Sequence, residues 1–227
     1  MKFISPPDKE LANGMRNNAK IPLTSEEIDI IKREIARIEA DESKFILNDI
    51  DHIHLSTCYN FVEDIVYVTK NVLPDEKYGS IHPRDLMSVA AVLAHEYYGH
   101  RTYRNEYISD SKHEGTYYST PLWQDECRAS ITAAKITPNL TNEERRDLIL
   151  DAVYRAREFG QLIELDDFMK ETLYGYSKSE KCITGNIGEI RFVSEESTFG
   201  DNENRENNDN LSEMQHISSG YDELEWW

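Results

Sequence analysis

Basic residues are scarce in this chain: 25 Lys and Arg stand against 43 Asp and Glu, giving a formal charge of −18. A protein that neutralises phosphates needs a basic face, so this balance argues against nucleic-acid binding. Cysteine is scarce too. Cys58, Cys127 and Cys182 are odd in number and far apart, which speaks against a disulfide framework and suits a reducing compartment. No run of about twenty apolar residues is present to span a bilayer, so no membrane association is expected. Met1-Lys2-Phe3-Ile4-Ser5-Pro6-Pro7 lacks the apolar centre of a signal peptide. The expectation is a cytoplasmic protein, although delivery by leaderless secretion would leave no trace. There is no internal repeat, and 227 residues suit one domain with a sizeable core, or one domain plus a tail.

Against these absences stands one dense stretch, His95-Glu96-Tyr97-Tyr98-Gly99-His100, followed by Asp125-Glu126-Cys127-Arg128-Ala129. Two imidazoles and a carboxylate, with a further carboxylate to act as base, are what a catalytic zinc requires. The histidines are five apart instead of the four that place both on one face of an α-helix. At about 100° per residue, His100 would point about 140° away from His95 in a regular helix. A single wide π turn would bring positions i and i+5 together, and such turns cluster at functional sites. Gly99 sits where that turn is needed, and the expectation is that it serves by accepting backbone angles that other residues resist.

These two strings resemble the zinc site of the dipeptidyl peptidase III family of metallopeptidases, which carries His-Glu-x-x-Gly-His and, later, Glu-Glu-Cys-Arg-Ala-Glu/Asp. The resemblance implies that His95, His100 and Glu126 hold one zinc ion and that Glu96 activates its water. It implies that Asp125 stands where a second carboxylate orients a ligand histidine. The second string departs from the family pattern at two places: Asp125 is one methylene shorter than glutamate, and Ser130 replaces an acid. The likeness covers about a fifth of the chain, and 227 residues cannot hold the second lobe of those large exopeptidases.

The expected chemistry follows from such an ion. Bound water would have its pKa lowered toward about 7, Glu96 would take its proton, and a carbonyl would be attacked. A donor besides the metal is needed for the oxyanion. His113, Tyr107, Tyr117 and Tyr118 are the candidates, each with an ordinary structural role as the alternative. Arg128 either braces Asp125 in a salt bridge or meets a substrate carboxylate. Cys127 is read as a small buried thiol behind the site and not as a nucleophile. His2Glu sites also accept cobalt or manganese, so the donor set alone does not select zinc.

Three functions from different classes remain open. One is a zinc peptidase acting on a peptide or protein, with a toxin or effector-type protease as one form it could take. A second is a metal hydrolase of a non-peptide amide. The third is a regulatory or binding protein with a structural or degenerate zinc site and an acidic tail as its working part.

Along the chain, residues 1–23 read as an irregular lead-in, 24–193 as the zincin-like catalytic domain and 194–227 as an acidic, disordered tail. The fold class expected is α+β with helices dominant: a buried metal-binding helix, a short sheet and the tail. Thr24-Ser25-Glu26-Glu27 is a capping box opening a helix to about Ser43. Phe45-Ile46-Leu47 is a short apolar run. Ile65-Val66-Tyr67-Val68-Thr69 has the β-branched and aromatic character of a strand, and it is the candidate for receiving substrate in extended form or simply a core strand. Pro83 opens the metal-binding helix, which is apolar nearly all round through Ala94. Residues 101–121 read as a polar connection. Further helices are expected from Pro121, from the capping box at Thr141 to about Gly160, and over Asp166–Tyr174. The tail holds about half of the net charge and ends in Trp226-Trp227, either a docking peptide for a protein partner or a segment packed on the domain.

Overall fold

A computed structural model describes residues 16–17, 19–48, 56–74, 83–113, 120–175 and 190–194. The tail expected to be disordered, most of the lead-in, and Tyr117, Tyr118 and Cys182 lie outside the described residues.

Helix α1 (Ser25–Arg37) starts as its sequence predicts. Thr24 Oγ1 accepts from the Glu27 amide, and the Glu27 carboxylate accepts from the Thr24 amide, satisfying two orphan donors reciprocally. Ile31, Ile35 and Ile38 form its buried stripe. The helix stops before Ser43 because Glu39 takes a positive φ of 55°. Asp41 then caps a short 3₁₀ turn, Glu42–Lys44.

Strands β1 (Phe45–Leu47), β2 (Cys58–Asn60) and β3 (Ile65–Val68) make a sheet in the order β1-β3-β2. The first pair is parallel and the second antiparallel. The β-branched run is therefore the central strand, with Val66 and Val68 buried. Its ladder groups are taken on both sides, so it has no edge to offer an extended substrate. β2 has that edge.

The expected single helix from Pro83 is two. α2 (Pro83–Leu86) ends before Ser88, whose Oγ accepts from the Ala91 amide and caps α3 (Val89–Ala94). Ala90, Ala91, Leu93 and Ala94 are fully buried, which agrees with a helix apolar nearly all round. The stretch read as a polar connection holds a helix as well, α4 (Arg104–His113). It lacks an apolar stripe and therefore gives no 3.6-residue signal; Tyr107 is its buried anchor.

Pro121 precedes α5 (Leu122–Ile136), and Thr141 caps α6 (Asn142–Glu158) with a second reciprocal box. Short strands β4 (Gln161–Ile163) and β5 (Phe192–Ser194) pair with each other. At three residues each they are too brief to show alternation in sequence. α7 (Asp167–Tyr174) lies between them in the chain and ends at Gly175 in the left-handed conformation. The architecture is α+β and helix-dominated. α5 packs against α6 and against the segment that follows α3, and the core lies between these helices, α1 and the sheet. No helix among the described residues is long and apolar enough to cross a membrane.

Candidate metal centre

The backbone from α3 runs directly into a π turn spanning His95–His100. The wider turn takes up the extra residue between the histidines, and their Nε2 atoms lie 3.1 Å apart. Gly99 plays a different part from the one its sequence position suggests. Its φ is not positive; among the described residues the positive-φ glycines are Gly160 and Gly175. What it supplies is space. A Cβ at Gly99 would lie 2.5 Å from the carbonyl oxygen of Ala129 on α5. The π turn and α5 touch backbone to backbone there. Glu126, one turn before Ala129 on the same face, is thereby brought to the histidines.

Glu126 closes a triangle with them. One carboxylate oxygen is 3.3 Å from His95 Nε2, and the other is 3.5 Å from His100 Nε2. A tetrahedral ion with bonds of about 2.0–2.1 Å spaces its ligand atoms about 3.3 Å apart. The two nitrogens, 3.1 Å apart, are close to that spacing, and with one ligand atom taken from each residue the three atoms lie within 4.8 Å of one another. His95, His100 and Glu126 can hold a metal ion, and they are the group of this kind among the described residues.

Behind His100, Nδ1 meets two groups: the Tyr107 hydroxyl at 3.2 Å and an Asp125 oxygen at 3.3 Å. Asp125 is fully buried and accepts from Tyr107 at 2.9 Å and from Arg128 Nε at 2.8 Å. Burial works against its charge, but the bonds to His100, Arg128 and Tyr107 outweigh it and hold the carboxyl below its usual range. Burial likewise opposes charge on His100, while Asp125 and Glu126 hold that imidazole well above its ordinary pKa. Arg128 also reaches Glu106 at 2.7 Å and lies 3.9 Å from the Tyr103 ring centre, a cation–π contact. Of the four donor candidates, Tyr107 is thus on the Nδ1 side of His100, away from the point where the Nε2 atoms converge. His113 ends α4 with its side chain outside the described residues, as are Tyr117 and Tyr118.

Glu96 accepts a 2.9 Å bond from the backbone amide of Tyr59 on β2. Desolvation pushes its carboxyl up, against the opposing pull of His95 and His100. Tyr59 pairs with Val66 across the sheet, and its amide is directed to Glu96. Cys127 is fully buried, donates to the Ala152 carbonyl at 3.2 Å, and has its thiol pushed up to about 12 by burial. A thiol so placed is a poor nucleophile.

Three contributors escape the sequence motifs, Tyr59, Asp151 and Arg155, and a fourth, Ser130, enters them only as a departure from the family pattern. Ser130 Oγ lies 2.9 Å from His95 Nδ1 and donates to Asp151 Oδ2 at 2.7 Å. Arg155 Nε is 2.9 Å from both Asp151 oxygens, and its Nη1 is 3.3 Å from Glu126. Burial opposes charge on Glu126, but Arg155 and the two histidines hold its carboxyl well below the usual range. One signal for this pair was present: Asp151 and Arg155 fall inside the apolar stripe of Leu148, Ala152 and Ala156 on α6. A charged pair in a buried stripe requires a partner. Nothing local marks the Tyr59 amide. No family model, curated protein or solved structure matches this chain.

Proposed function

We propose that this chain is a zinc-dependent peptidase that hydrolyses a peptide bond through a metal-activated water. The observation that carries the reading is the convergence of His95 Nε2, His100 Nε2 and the Glu126 carboxylate within 4.8 Å of one another, with Glu96 adjoining. Two imidazoles and a carboxylate suit zinc better than calcium or magnesium, which prefer oxygen donors throughout.

Bound there, zinc supplies Lewis acidity and a water whose pKa falls toward about 7. Glu96 takes the proton: the Tyr59 amide holds one carboxylate oxygen and leaves the other to act. Its desolvation favours the neutral form, so it can pass the proton on to the departing amine. Asp125, braced by Arg128 and Tyr107, keeps the His100 ring turned with Nε2 inward. The central strand is paired on both sides, so an extended substrate backbone would lie beside β2, next to Glu96, with the Tyr59 amide kept for the Glu96 carboxylate.

The test is the zinc content of the purified full chain beside Glu126→Ala. One zinc per chain in the wild type, lost in the variant, supports the reading and justifies a peptide-library screen. A folded, zinc-supplemented wild type without zinc overturns it.

A further inference from the structure

We infer that α6, which carries no ligand, fixes the metal site through two positioning residues, Asp151 acting through Ser130 on His95, and Arg155 acting on Glu126. The inference rests on the metal reading above. Ser130 Oγ has a single proton, and it stands 2.7 Å from Asp151 Oδ2. Arg155 Nε stands 2.9 Å from both oxygens of Asp151, so that side chain meets donors on both sides and serves as the acceptor. The serine proton therefore goes to Asp151. The serine lone pair that remains faces His95 Nδ1 at 2.9 Å, so that nitrogen must carry the hydrogen. In the neutral ring the other nitrogen, Nε2, then has its lone pair free on the side of His100 and Glu126.

The arrangement accounts for two otherwise costly features. Asp151 is fully buried, and a buried carboxylate is retained only where its bonds are complete. Ser130 occupies the place where the similar motif has an acid. Here the serine passes the hydrogen bond outward to a carboxylate on the neighbouring helix. Arg155, one turn after Asp151, spends its Nε on that carboxylate and its Nη1 on Glu126, so one guanidinium links the supports of two ligands. A salt bridge kept only for packing would have no need to reach either ligand.

Long-range proton–nitrogen correlation on the labelled full chain, without metal, reads the His95 tautomer directly. Zinc dissociation constants from chelator competition give the second readout. The wild type is expected to hold the hydrogen on Nδ1; Ser130→Ala is expected to give mixed tautomers and about 10- to 100-fold weaker zinc binding. Asp151→Asn, which keeps the shape of the side chain, is expected to weaken zinc binding in the same range, with thermal unfolding confirming that it folds. Arg155→Met is expected to weaken zinc binding by about tenfold without altering the tautomer. A wild-type His95 with its hydrogen on Nε2, or a Ser130→Ala chain unchanged in both tautomer and affinity, overturns the relay. A wild type that holds the Nδ1 tautomer, loses it in Ser130→Ala, yet takes up no zinc supports the relay and overturns the metal reading instead.

Discussion

Gly99 and Ala129 meet backbone to backbone, and a Cβ on Gly99 would stand 2.5 Å from the Ala129 carbonyl oxygen. That oxygen belongs to a helix and cannot swing aside, so Gly99→Ala must push the π turn and α5 apart. Overpacking of this kind costs about 1–3 kcal/mol. The shift also stretches the distances from Glu126 to both histidines, so zinc binding is expected to weaken by at least about tenfold. Gly160→Ala is the control. Gly160 has φ of 65° with nothing within 4 Å of an added Cβ, so only backbone strain of about 1 kcal/mol is expected and no change in zinc affinity. Urea denaturation and chelator competition on both variants check the contrast; equal effects on zinc would count against the close approach as the feature that sets the site.

Glu96→Gln separates metal binding from chemistry. The amide oxygen still accepts from the Tyr59 amide, and no ligand atom is lost. The fold and zinc content should therefore persist, while hydrolysis of any peptide found to be a substrate falls by about 100- to 10,000-fold. Unchanged turnover in a zinc-loaded Glu96→Gln chain would remove Glu96 from the base role. Loss of zinc would make it part of the metal-holding set.

The reach of the sequence can be judged from these same residues. The π turn was legible because a five-residue spacing cannot face one ion from a regular helix, and the capping boxes at Thr24 and Thr141 marked their helices by chemistry alone. The reason for Gly99 was not legible. Its steric partner lies on another helix, and no local pattern records that contact. α4 was hidden because a polar helix held by one tyrosine has no periodic stripe. Glu96 could be read from its place beside His95, but its Tyr59 support is a backbone amide 37 positions away, which any residue type would provide. The strand at 65–68 was correctly typed, yet its place in the middle of the sheet depends on pairings that sequence alternation does not encode.

Arg16, within the stretch read as an irregular lead-in, joins two parts of the scaffold. Its Nε and Nη2 donate to the Asn71 and Val72 carbonyls at 2.6 Å, and its Nη1 donates to that of Arg84 at 2.9 Å. Burial brings its pKa down to about 10, against the pull of Asp85. The guanidinium thus ties the turn after β3 to α2, just ahead of the helix that leads to His95. Arg16→Ala leaves these carbonyls without their charged donor and is expected to cost about 3 kcal/mol. Arg16→Lys should recover only part of this, because an ammonium cannot span the same set of acceptors. Denaturation midpoints for the three chains give the order; a lysine variant equal to wild type would count against the bridging role.

Acid sensitivity is expected from Glu144. Its carboxylate accepts from Arg37 Nη1 at 3.1 Å, from Ser88 Oγ at 2.6 Å and from the Thr141 amide at 2.9 Å. Burial alone would raise its pKa, but Arg37, Ser88 and Thr141 together bring it down from 4.5 to about 2. Because the folded value is the lower one, the contribution to stability is complete above the unfolded pKa of 4.5 and is lost as pH falls toward 2. Discounted for the water that still reaches the pair, it is about 1–2 kcal/mol. Ser88 also caps α3, so protonating Glu144 loosens the junction between the start of α6 and the helix that leads to His95. Melting temperatures of wild type and Glu144→Gln at pH 7 and pH 3 test this. The gap between them should shrink by more than half at pH 3, and parallel melting curves at both pH values would show that the carboxylate is not what stabilises the junction.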